Sequence, residues 1–271
     1  MRKSVLLIST SLIITAAALA ATSRDNEALL QAQRLQLEFR QGNLEAAKPL
    51  VKTMEAAVAQ SDNNAQLWEA LGHAYMSQQG SLFAAPPDFP TVIAIGERAR
   101  DAYARSLALD ANNTLVRASH GMAQTVISLL RGDGPGIKAG VDEMNAAVSD
   151  APKSIAARLT RGFTIIHLPP AMRDTDAVIE DLQFIMDRSP GGRPEDVLHV
   201  LLGDVYAEMG KLDAARAEYA LVSGASAFAA QQVKLRLADL KTGAIQPASI
   251  GQVRAITGSG CATCHAPGAD N

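Results

Sequence analysis

Cysteine, tryptophan and aromatic side chains are scarce: the 271-residue chain holds two cysteines, one tryptophan and 4% aromatic residues. So few cysteines exclude a disulfide-stapled fold, and a chain of this length buries a sufficient core without staples. The cysteines are therefore available for chemistry. Few aromatic and β-branched residues speak against an all-β fold. Excess positive charge is also missing, with 25 Lys and Arg against 28 Asp and Glu, so no basic surface invites a nucleic-acid partner. Hydrophobic residues make up 48% and charged residues 20%, which excludes both disorder and a multi-span membrane protein. Alanine and leucine dominate instead and point to helices. No Ser-His-Asp set, H-E-x-x-H or phosphate-binding glycine loop is present, so nothing in the sequence argues for an enzyme.

The first residues have the layout of a secretory signal peptide. Arg2 and Lys3 precede an apolar stretch, Val5 to Leu19, which ends in the small residues Ala18, Ala20 and Ala21 before the polar run Thr22 to Glu27. Residues 1–21 are read as this leader, with cleavage after Ala20 or a neighbouring alanine, and the compartment as periplasmic. No cysteine lies near the cleavage site to carry a lipid. Membrane attachment would follow only from an uncleaved leader. Losing Arg2 and Lys3 makes the mature chain more acidic and favours solubility.

From Glu27 to Gly243 apolar residues recur at helical spacing, between short stretches of Gly, Asn, Asp or Pro. The pattern repeats. Trp68, Leu71, Gly72 and Tyr75 have the spacing W-x2-L-G-x2-Y, and Ala99 and Tyr103 follow at small and aromatic packing positions of a second helix. The clearest copy has Leu202, Gly203, Tyr206, Gly210, Ala215 and Tyr219 in register, and weaker copies begin near Ala28, Thr114 and Ile155. These positions resemble the tetratricopeptide repeat (TPR) family over most of the mature chain. The resemblance implies an all-α solenoid of about five helix pairs over residues 26–243, closed by a capping helix, Ala227 to Lys241. Two insertions are expected. One is a long proline-bearing loop between Met76 and Arg98, where Pro86, Pro87 and Pro90 forbid a continuous helix. The other holds Gly132 to Gly136.

In such arrays the first helix of each pair lines a partner groove. Here its positions give Gln66, Glu69, His73, Leu115, Met122, Leu159, Phe163, Ile166 and Val197, an apolar lining in the middle of the array. A hydrophobic segment, an amphipathic helix or a flat cofactor would bury against it, unless neighbouring helices or the tail fill it. His120 and His199 fall on helix-packing positions, where a satisfied core role is expected.

Beyond the array the composition shifts to Gly, Ala, Ser and Thr. Cys261, Ala262, Thr263, Cys264 and His265 form C-x-x-C-H in the tail, residues 244–271. This is the attachment motif of c-type haem: two thiols reach the vinyl groups on one edge of the porphyrin, and the adjacent imidazole becomes the proximal iron ligand. One covalent haem c is expected, on Cys261 and Cys264, with His265 on the iron. A thiol-redox pair competes, but no βαβ setting accompanies it, and zinc would need four ligands where three are local. The resemblance to c-type cytochromes is confined to this motif and a short preceding helix. A sixth iron ligand is therefore expected from elsewhere, the groove candidates being His73, His167, Met76 and Met122. Two functions follow. One is a periplasmic interaction protein that docks a redox protein and carries the haem for electron transfer or redox-complex assembly. The other draws on a similarity to the TPR subunits of cytochrome c maturation, implying a chaperone that holds apocytochrome for the haem lyase and uses the tail for thiol or haem handling.

Overall fold

A computed structural model describes residues 23–38, 43–82, 87–188 and 193–242. The expected leader and the C-x-x-C-H tail lie outside the described residues. Helix α1 spans residues 23–38. Ten more follow: α2 (Ala47–Gln60), α3 (Ala65–Ser81), α4 (Phe89–Leu109), α5 (Thr114–Arg131), α6 (Gly134–Asp150), α7 (Ile155–Ile165), α8 (Thr175–Met186), α9 (Arg193–Glu208), α10 (Leu212–Ala220) and α11 (Ala227–Thr242). There are no strands among the described residues. The helices pair as α3/α4, α5/α6, α7/α8 and α9/α10, α1 lies against α2 with Ser61 bonded to Asp25 at 2.8 Å, and α11 packs against α9 and α10 as the cap. The expected all-α solenoid is the architecture observed.

The sequence repeats because the turns repeat. The chain leaves α2, α4 and α6 through Ser61, Asp110 and Ala151, whose φ/ψ values are −141/67°, −140/85° and −131/68°. Three residues later Asn64, Asn113 and Ser154 cap the next helix, each side-chain oxygen accepting from a backbone N–H of the first turn at 3.0–3.2 Å. These caps satisfy donors that a helix start leaves orphaned. The pairs starting at α3, α5 and α7 thus begin with the same short bend.

Much of the first expected insertion is helical on either side of residues 83–86, which lie outside the described residues. Helix α3 runs on to Ser81 and α4 starts early at Phe89, with Pro90 in its first turn, where a missing N–H costs nothing. The buried Gln79 amide donates to the Val92 carbonyl at 3.0 Å and ties the two extensions together. Gly132 likewise serves a tight reversal rather than an insertion. At φ 69° it ends α5 while Asp133 N–H donates to the Ser128 carbonyl at 2.8 Å, and the Asp133 carboxylate then caps α6.

Two apolar clusters hold the array. The N-terminal one gathers Leu50, Met54, Leu67, Leu71, Tyr75 and Tyr103, and the C-terminal one Ile165, Leu168, Leu182, Leu198, Leu201 and Tyr219. Between them a small cluster of Ala118, Ala147, Val148 and Ala157 lets helices approach closely. Glycine does the same within pairs. A Cβ on Gly72 would sit closer than 3.0 Å to the Tyr103 ring, and one on Gly203 equally close to the Tyr219 ring. Both rings are buried and cannot retreat. Gly72→Ala and Gly203→Ala are each expected to destabilise by about 1–3 kcal/mol through overpacking, and to add in the double variant because the sites share no partner. Urea unfolding followed by far-UV circular dichroism measures both.

Candidate partner groove

The first helices α3, α5, α7 and α9 present equivalent positions, aligned on Gly72, Gly121, Gly162 and Gly203. The residue after each glycine is His73, Met122, Phe163 or Asp204. Two of these four are locked by polar contacts. His73 Nδ1 pairs with the Tyr103 hydroxyl at 2.8 Å, the rings meeting edge to face, while its Nε2 faces Glu69 Oε1 at 3.7 Å. Glu69 also accepts from the Asn113 amide at 3.1 Å, which fixes α3 against the start of α5. Asp204 accepts from the Tyr219 hydroxyl at 2.6 Å and from Arg236 of α11 at 2.8 Å. Burial and the Asp204 field push the Tyr219 phenol well above its ordinary pKa, and burial and Glu69 do so for Tyr103.

Met122 and Phe163 are half-buried, as are Leu115 and Leu159 on the same two helices. Because α5 packs directly on α7, these four make an apolar stripe across the middle of the array. Gln66 is exposed at its α3 side. Met76 is half-buried against the N-terminal cluster. The structure does not place two other expected lining residues on an open face. Helix α7 stops at Ile165, so Ile166 turns into the C-terminal core at 1% exposure, and Val197 lies at 0% in the cluster that holds Ala229 and Val233 of the cap.

Among the iron-ligand candidates, His73 is engaged at both ring nitrogens, so ligation there would have to break the Glu69 contact. His167 Nδ1 faces the Phe163 carbonyl at 2.5 Å, the kind of backbone contact that orients an imidazole. Among the described residues no group of three or more His, Cys, Asp or Glu is placed to hold a metal ion. His120 and His199 take the expected packing roles, with Nδ1 against Glu143 at 2.7 Å and Glu218 at 2.8 Å on the second helix of the same pair.

Sequence reasoning missed an interior charge cluster. Asp181 of α8, with 0% exposure, accepts from Arg161 through both oxygens at 2.7 Å and from Arg158 at 2.9 Å. Arg158 also donates to the Pro152 carbonyl at 2.8 Å and lies 4.3 Å over the Phe184 ring. Burial works against the Arg161 guanidinium, yet the hydrogen bond and field of Asp181 outweigh it and raise its pKa. A signal was available: Arg158 and Arg161 occupy the positions that Trp68 and Leu71 fill in the α3 copy.

No family model matches the chain, and no curated protein matches it. The solved crystal structure of a thermophilic TPR protein from Thermus thermophilus is similar to it, with a TM-score of 0.52, over 78% of this chain and 99% of that one. The chain has the tetratricopeptide fold. At 13% identity the likeness concerns the fold alone. In this fold the α3–α5–α7–α9 face is the inner surface of the solenoid. Among the described residues no helix is long and apolar enough to cross a membrane.

Proposed function

We propose that this is a periplasmic TPR interaction protein that carries one covalent c-type haem on its tail and serves electron transfer or the assembly of a redox complex. The observation that supports it is C-x-x-C-H at Cys261–His265, holding the only two cysteines of the chain and following a helical array that needs neither. Each thiol would add across one porphyrin vinyl group, its sulfur bonding one vinyl carbon and its hydrogen going to the other. His265 would hold the iron from the proximal side. The haem, once attached, supplies one-electron chemistry, and the array's own part is recognition. Gln66 and Glu69 put polar groups on the α3 side of the groove, which suits a polar segment of a protein partner.

The experiment is expression with the leader in cells competent in haem attachment. Denatured protein should keep its haem, giving a pyridine haemochrome spectrum, and Cys261→Ser with Cys264→Ser should abolish it. Unmodified wild-type protein would overturn the reading. Deleting the gene separates this role from the chaperone alternative, because loss of an apocytochrome chaperone lowers all other holocytochromes of the cell and loss of a single electron carrier leaves them intact.

A further inference from the structure

We propose that the apolar stripe on α5 and α7, formed by Leu115, Met122, Leu159 and Phe163, is the seat for the chain's own C-terminal tail, and that the porphyrin on Cys261 and Cys264 is what the stripe buries. The inference rests on the haem reading above and names the occupant of the groove. Four equivalent inner positions follow the repeat glycines, and two are spoken for: His73 by Tyr103 and Asp204 by Tyr219 and Arg236. Met122 and Phe163 carry apolar side chains there instead, half-buried on helices packed directly together, with Phe163 resting one side of its ring on the C-terminal core. A porphyrin needs a flat, apolar wall of this kind to exclude water from the iron. The tail, dominated by Gly, Ala, Ser and Thr around its motif, brings little apolar bulk of its own.

The cap delivers the tail to this face. The backbone N–H of Ser226, just before α11, donates to Asp196 at the start of α9 at 2.8 Å, and Arg236 bonds Asp204 farther along. Helix α11 therefore runs beside α9 in the same direction. Thr242 ends it toward the C-terminal end of α9, the end where Glu208 meets Arg173 beyond α7. Helix α11 packs on α9, α9 on α8 and α8 on α7, and at about 8–10 Å per neighbouring pair α7 lies within about 30 Å of α11. Roughly twenty residues separate Thr242 from Cys261, and a tether of that length has a root-mean-square span of about 25 Å and a reach of about 60 Å. Span and distance match, which is the condition for a high effective concentration of the tail at the stripe. The polar α3 side stays open for a partner.

The test uses the full exported chain. Trypsin cleavage after Arg254 reports tail exposure, and Soret circular dichroism reports a porphyrin held against an asymmetric wall. Phe163→Glu, and separately Met122→Glu, should speed cleavage about tenfold, as expected when proteolysis tracks the undocked population, and should flatten the Soret signal while haemochrome and far-UV spectra stay unchanged. Leu235→Glu, on the exposed side of α11, should change neither. Two variants are used so that a folding defect in one leaves the other to decide. Haemochrome present, with cleavage and Soret signal equal in wild type and in a folded variant, would overturn the docking. Tail protection that rises with protein concentration would also overturn it, in favour of a second molecule on the stripe. Absent haemochrome overturns the haem reading instead, and the cleavage rates still decide whether the tail is seated.

Discussion

Asp181→Ala should cost about 3–5 kcal/mol, a large share of the stability of a domain. The carboxylate has no exposure and is the shared acceptor of two guanidiniums, Arg158 and Arg161, whose side chains are 8% and 9% exposed. Removing it leaves two buried cations facing each other. Glu180 touches Arg158 at 2.9 Å but is 62% exposed and screened by water, so it cannot replace Asp181. Asp181→Asn keeps the shape and loses the charge, and should fall between wild type and Asp181→Ala. Replacing all three members with Met, Met and Leu should recover most of the loss, since a buried ion cluster is no more stabilising than a well-packed apolar one. Denaturant unfolding of the series measures each step. An Asp181→Ala loss below about 1 kcal/mol would mean that water reaches the cluster.

This cluster also marks where sequence reading stopped. The pairs built on Gly72 and Gly203 were legible because their chemistry is local and repeated: a missing Cβ admits a tyrosine ring from the second helix. The fourth pair keeps its glycine, but Asp181 rather than an aromatic ring faces Gly162. Two arginines on the template's apolar positions mark the departure from the repeat, but the chain does not show which carboxylate answers them until α8 brings Asp181 between them.

The groove was legible in outline and wrong in detail at its C-terminal end. Periodicity assigns Ile166 and Val197 to the groove lining, whereas both are buried in the C-terminal core. It does not show that α7 ends one residue before Ile166, or that α11 covers α9, because both depend on which helix stops and which one folds back. The helix does break between Ser81 and Phe89, as the prolines require, but the break is shorter than the expected loop. Pro90 breaks a helix interior but suits a first turn, and only the position of the start distinguishes the two.

Alkaline unfolding should be unusually steep. Each of the four tyrosines, Tyr75, Tyr103, Tyr206 and Tyr219, has its phenol pKa raised, with burial as the leading cause. In the unfolded chain the same groups ionise near their ordinary value of about 10. The folded state thus holds its phenolic protons where the unfolded state has released them. The stabilisation is complete below about pH 10 and is lost as pH rises above it, by about 1.4 kcal/mol per pH unit for each fully shifted group. Tyr103 and Tyr219, 0% and 3% exposed, carry the effect, together about 3 kcal/mol per unit, so about two units above pH 10 consume much of a domain's stability. Tyrosinate absorbance should then rise in one cooperative step that coincides with the loss of helical signal, instead of titrating gradually. Tyr103→Phe with Tyr219→Phe should cost about 2 kcal/mol at neutral pH, for the hydrogen bonds to His73 and Asp204, and should flatten the alkaline slope. A gradual titration with helices intact would mean that the two rings open to solvent without unfolding, and that the glycine–tyrosine contacts at Gly72 and Gly203 are not what fixes each pair.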